Sequence, residues 1–214
     1  MTATDAGLLT LVQWLSPAFP VGSYAYSHGL EWAISAGEVT DAASLKIWVA
    51  GVLAEGTGRA DAILLAHALQ DGADLPGLAA LAGALAASRE RFVETCDLGR
   101  ALLAATHALT GDAHPAMPYQ VALGAAARGL GLPPEQVVAL YLQAFAAGLV
   151  MAAVRFVPLG QTEGQQVLAG LHPLSLRLAA EAVTVPLSEI GSGAFRSDLA
   201  AMRHETMDVR IFRT

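Results

Sequence analysis

Apolar positions recur at helical spacing along almost the whole chain, and no useful run alternates strictly between apolar and polar. Leu8, Leu9, Leu11, Val12 and Leu15 outline a first short helix that ends at Ser16-Pro17. Pro17, Pro20 and Gly22 mark residues 16–27 as a loop. A second short helix is predicted over 28–36, closed by Gly37. Thr40 or Asp41 can cap a third that runs towards Leu69, with bends at Gly51, Gly56 and Gly58. Residues 71–76 read as a loop and 78–87 as a weak Ala-Leu helix. Residues 88–109 carry the clearest amphipathic pattern. Phe92, Cys96, Gly99 and Leu103 share one face, and Glu90, Glu94 and Asp97 form an opposite, solvated one.

After a break at 111–118, helices are expected over 119–130 and 135–157, the second opened by Pro133-Pro134. Thr162 and Gln165 have capping-box spacing for a further helix. Residues 154–159 and 183–187 look locally extended but isolated. The prediction is an all-α, single-domain helical bundle spanning 1–214, with 191–214 as a flexible C-terminal tail.

Composition sharpens this picture. The chain is 54% hydrophobic and only 14% charged, and roughly a fifth of it is alanine. Alanine favours helix and lets helices approach closely. With 6% aromatics, the core must be built from Leu, Val and Ala. Residues 137–154 hold no charge over 18 positions, which fits a buried central helix or a membrane span. The Ala-rich run, broken by Tyr141, Gln143 and Gly148, favours the buried helix and a protein outside the membrane.

A net charge of −7 argues against a broad nucleic-acid surface. One cysteine, Cys96, on an apolar face, forms neither an internal disulfide nor a zinc cluster, and fits a reducing, cytoplasmic setting. The first 15 residues lack a basic signal-peptide start. No phosphate-cradling or dinucleotide glycine motif is present, and no nucleophile elbow. No two histidines stand one helical turn apart, so no catalytic, cofactor or metal residue is assigned.

Three segments remain unusual. Residues 19–31, FPVGSYAYSHGLE, pack Tyr24, Tyr26, His28 and Glu31 into a Gly-punctuated loop, which is either a binding loop or a helix cap with packed tyrosines. The same loop admits a second reading, an all-α enzyme with a Ser, His and Glu site over 23–31, although nothing orders those groups as nucleophile, base and orienter. Residues 158–166, PLGQTEGQQ, fit a helix start with Glu163 in its first turn, or a polar contact. Residues 202–214, MRHETMDVRIFRT, set Arg203, His204 and Glu205 before Arg210 and Phe212, a mixture that interfaces favour over a frayed end.

Taken together and in order, these segments resemble the urease accessory protein family UreF. Residues 19–31 match that family's F-P-[VI]-G-[SA]-[FY]-x-[YH]-S-x-G-L-E loop in full. Arg89-Glu90-Arg91 with Leu98-Gly99, then His114-Pro115 and Pro118-Tyr119, match its middle. Residues 157–165 match V-P-L-[GS]-Q-x-[DE]-G-Q, and 202–212 match its ending, with Asp208 and Val209 where the family usually has Tyr and Ser. The resemblance implies an all-α homodimer that bridges the accessory protein UreD (also called UreH) and the nickel-carrying GTPase UreG. In that role it would serve apo-urease, with Ni²⁺ as transient cargo and no cofactor of its own. It also implies that the tail docks on UreD/UreH and that Tyr24 and Arg210 lie at functional interfaces. Regulation of GTP hydrolysis by UreG, and a share in the nickel route, come with the same resemblance.

Overall fold

The computed structural model describes residues 3–214. Among these residues there are eleven α-helices and no strand. They are α1 (Ala3–Leu15), α2 (Leu30–Ser35), α3 (Ala42–Glu55), α4 (Thr57–Ala68), α5 (Leu75–Ala84) and α6 (Arg89–Thr110), then α7 (Tyr119–Ala127), α8 (Pro134–Ala153), α9 (Gln161–Ala169), α10 (His172–Ala182) and α11 (Phe195–His204).

The helix starts follow local chemistry. Asp41 caps α3 by accepting from the Ser44 amide at 2.8 Å, and Ser88 caps α6 through the Arg91 amide at 3.2 Å. Pro134 sits in the first turn of α8, where its missing N–H costs nothing. Three expectations shift. The long helix over 41–69 is two helices broken at Gly56 (φ −118°, ψ −142°). Asp74 accepts from Gly77, so α5 starts at Leu75, inside the expected loop. At α9 it is Glu163, not a Thr162–Gln165 pair, that receives the Gly160 amide, at 2.9 Å.

The core lies where α8 crosses α3, α4 and α10, with α7 between α4 and α6. Leu45, Leu53, Ile63, Leu64, Leu123, Val138 and Leu142 are fully buried there. Alanine and glycine set the spacing. A Cβ on Gly124 of α7 would stand 2.5 Å from the Ala68 Cβ of α4, so α7 can approach only with a hydrogen at that position. The uncharged stretch of α8 is long and apolar enough to cross a membrane, with a mean hydropathy of 1.7. Here its apolar side chains are explained by packing, since Val137, Val138, Leu142, Leu149 and Val150 all face neighbouring helices.

Two further expectations are corrected. On α6 the inner face is only partly the one expected: Gly99 and Leu103 are buried, but Phe92 is 47% exposed, whereas Glu94 is 1% exposed. Arg91, Glu94, Leu98 and Leu102 point inward together, because steps of three and four residues keep them on one side. The segment after Gly191, expected as a flexible tail, forms α11 and then returns over α2 and α6, with Phe212 and Thr214 buried.

Candidate functional site

The entry loop and the C-terminal segment meet over a buried set of charged groups. The meeting depends on a tight turn in which His28 (φ 54°) and Gly29 (φ 75°) are both left-handed. For a histidine this conformation is uncommon and needs support from its surroundings. At Gly29 a Cβ would lie 2.5 Å from the Ala201 amide nitrogen, so α11 rests directly on the turn.

The upper part of the set is organised by Glu31. Its carboxylate accepts from the amides of Ile211 (2.8 Å) and Phe212 (2.9 Å). The same group lies 3.0 Å from His204 Nε2, and Nδ1 of that ring is 2.7 Å from Glu90. His204 is fully buried between the two carboxylates. Glu90 also receives the Arg210 guanidinium, and Glu205 accepts from the Glu90 amide at 3.0 Å. Phe212 closes the region with an edge contact to Phe156 at 5.3 Å.

The lower part centres on Glu94. Arg91 is paired with it one helical turn away, His28 Nε2 stands 2.8 Å from it, and the Thr214 hydroxyl donates to it at 2.8 Å. Burial alone would raise the Glu94 pKa, but Arg91 and then His28 outweigh burial and hold it at about 2. Burial, followed by the Arg91 charge, lowers the His28 pKa. His28 Nε2 thus lies between the Glu94 carboxylate and the Arg91 guanidinium, 3.0 Å from the latter, and Nδ1 is buried without a partner. The Ser27 amide donates to the Thr214 backbone oxygen at 2.7 Å, and the Ser27 hydroxyl donates to the same atom.

Deeper still, a cavity of about 80 Å³ sets His28, Asp61, Arg91, Glu94 and Tyr141 against a largely apolar wall that includes Leu98, Phe145 and Leu149. A second, of about 30 Å³, shares Asp61, Arg91, Thr95 and Gln120 with it. Tyr141 donates to Asp61 at 2.7 Å. Burial raises the Asp61 pKa to about 6, and burial with the Asp61 charge raises Tyr141 well above the phenol range. Among the described residues, no group of three or more His, Cys, Asp or Glu side chains is placed to hold a metal ion.

The sequence-derived candidates therefore divide. Tyr26, His28, Glu31, His204 and Phe212 are buried. Glu31, His204, Arg210 and Phe212 come together in one network. Tyr24 stands apart, 65% exposed. Arg203 is exposed and lies over the Trp32 ring at 4.7 Å. Glu205 and Arg210 reach the surface. Arg91, Glu94, Asp61, Tyr141 and Thr214 were not among the candidates. The signal that marks Glu94 is its four-residue spacing from Leu98 and Leu102, which puts it on the buried stripe of α6. Within the Ser, His and Glu reading of the loop, Ser27 and His28 do not pair as nucleophile and base, because Ser27 is bound to Thr214 and His28 to Glu94.

The UreF family model matches residues 39–172. A Cereibacter sphaeroides protein named urease accessory protein UreF is 65% identical over 210 residues, covering 98% of this chain and 100% of its own length. The chain belongs to the UreF family. A Dinoroseobacter shibae protein of the same name is 56% identical, over 98% of this chain and 99% of its own. One from Paracoccus denitrificans is 49% identical, over 98% and 97%. Each alignment runs across nearly the whole chain, so UreF-family membership covers the C-terminal segment as well as the helical body.

Proposed function

We propose that this UreF-family chain is a urease accessory protein that works as a scaffold rather than an enzyme. As a cytoplasmic homodimer it bridges UreD/UreH and UreG while nickel is delivered to apo-urease. It gates or positions GTP hydrolysis by UreG and makes no bonds itself.

The observation that carries this reading is the outer face of α11. Phe195, Leu199 and Met202 are 73%, 51% and 48% exposed, while Ala200, Ala201 and His204 point inward. A surface helix normally turns its large apolar side chains to the core. This one is inverted, and a contiguous exposed apolar stripe marks a contact surface. The stripe is the proposed docking surface for UreD/UreH. Arg203, Glu205 and Arg210 are proposed contacts beside it, and Tyr24 a separate exposed one. The buried candidates Tyr26, His28, Glu31, His204 and Phe212 are proposed to act indirectly, by fixing the segment that carries the stripe.

The oxygen donors Asp61, Thr95 and Gln120, shared by the two internal cavities, support a loose share in the nickel route. Oxygen donors and water hold a hydrated dication weakly, whereas thiolates or paired histidines would trap it.

The test is reconstitution with purified UreD and UreG, with mass measured by light scattering. The expected result is a ternary complex of twofold stoichiometry, lost when Phe195, Leu199 and Met202 are all replaced by Ser. Failure of the unaltered chain to co-elute with either partner, with or without nucleotide and nickel, would refute the proposal.

A further inference from the structure

A concavity of about 360 Å³ lies beside the C-terminal segment, and its charges are unbalanced. Its walls include Arg89, Arg210 and Arg213 together with Glu90, Glu205 and Tyr26. Both carboxylates are engaged, Glu90 by His204 and Arg210 and Glu205 by the Glu90 amide. Two of the guanidiniums have no carboxylate partner. Arg213 donates only to the Tyr26 hydroxyl, at 3.3 Å, and lies over that ring at 5.7 Å. Arg89 is the first residue of the 22-residue helix α6 and is exposed. A cation at a helix N-terminus opposes the helix dipole, so local stability does not explain Arg89. The rest of the chain leans the other way, with a net charge of −7. Val93, 42% exposed, also stands on its wall.

We infer that this concavity receives an acidic segment of a partner protein, in which paired carboxylates sit beside an apolar side chain. The guanidinium fork matches a carboxylate in two parallel hydrogen bonds, and the exposed Val93 takes the neighbouring side chain. The surface differs in chemistry from the stripe on α11, so it serves a second contact. This inference rests on the scaffold reading and specifies which partner chemistry the scaffold recognises.

The test uses the full chain and the double reversal Arg89→Glu with Arg213→Glu. Both side chains are exposed and outside the buried network, so the fold should persist, checked by circular dichroism. Affinities for UreD, UreG and apo-urease are measured singly by calorimetry at about 50 mM and about 300 mM salt. The expected result is a loss of about tenfold or more for one partner, with wild-type affinity for that partner falling as salt rises. Arg89→Lys with Arg213→Lys should keep part of the affinity, since charge remains and the fork does not. Affinities for all partners within about twofold of wild type, at either salt concentration, would overturn the inference.

A fluorescent Asp-Glu-Leu-Glu peptide separates this inference from the scaffold reading. If the wild-type chain binds none of the three proteins, the scaffold reading fails. The inference then stands or falls on salt-dependent peptide binding that the double reversal abolishes. Binding of inorganic phosphate without binding of the peptide would assign the concavity to a small anion and overturn it.

Discussion

The packing of α8 against α3 and α4 and the seat beneath the C-terminal segment are both buried, but they are held by opposite means. Around α8 the contacts are mostly those of Leu, Val and Ala side chains, which have no required partner, with the Tyr141–Asp61 hydrogen bond as the polar exception. Beneath the segment, Glu31, His204, Arg91, Glu94 and His28 each depend on named neighbours. An apolar core loses stability in proportion to what is removed and how well the gap closes. A buried ionic set fails more abruptly, because removing one member strands the charge of another. The seat is therefore a device for fixing position. The apolar core supplies most of the driving force for folding.

Breaking the seat should have the largest effect. Glu94→Ala leaves Arg91 without its buried partner and is expected to cost about 3–5 kcal/mol by urea denaturation. Replacing Arg91 and Glu94 together by Met and Leu should cost clearly less than Glu94→Ala alone. A cost as large as the single change would show that the contact is ordinary packing. Leu142→Ala in α8, fully buried, should cost about 3 kcal/mol by the same measurement, with no such rescue by a neighbour.

The pH dependence sharpens the contrast. Glu94 has a folded-state pKa of about 2, below its unfolded value. Its contribution is present above pH 4.5 and is lost as pH falls from there towards 2. Asp61 runs the other way, raised to about 6. Its protonated form is the one the fold prefers, so stability declines as pH rises from about 4 to about 6. Asp61→Asn should therefore be more stable than wild type at pH 7, by about 1–2 kcal/mol, and equal to it near pH 4. A thermal-melt series across pH 3–8 checks both arms. The smallest stability change belongs to the surface: Leu199→Ser on α11 should shift stability by less than about 0.5 kcal/mol while weakening partner binding.

The sequence reading succeeded where apolar spacing alone decides the outcome. The all-α architecture, the α6 and α8 helices, the Asp41 cap and the break before α7 all follow from periodicity, capping residues and proline. Glu31, His204, Arg210 and Phe212, named as partner contacts from the loop and tail motifs, converge in one intramolecular network. What the pattern hid was the direction these groups face. Periodicity treats a carboxylate as a mark of the solvated side, so Glu94 and Glu90 were assigned outward. Their burial depends on Arg91, His28 and His204, which lie 3, 66 and 114 positions away in the pairs concerned. Pairing at that separation leaves no local trace. The exposed stripe on α11 was obscured for a different reason. Residues 191–214 read as a flexible tail, so the pattern assigns no helix face to Phe195, Leu199 and Met202, and the inner side is taken by Ala200, Ala201 and His204.

The central claim is that the C-terminal segment is a seated platform whose docking surface depends on the buried groups beneath it. Glu31→Gln tests this without altering any exposed residue, since Glu31 is buried and holds the Ile211 and Phe212 amides. Affinity for UreD/UreH is measured by calorimetry, and exchange of those two amides by hydrogen exchange. The account expects faster exchange at both amides together with an affinity loss of about tenfold. Unchanged protection, or freely exchanging amides with wild-type affinity, would contradict it.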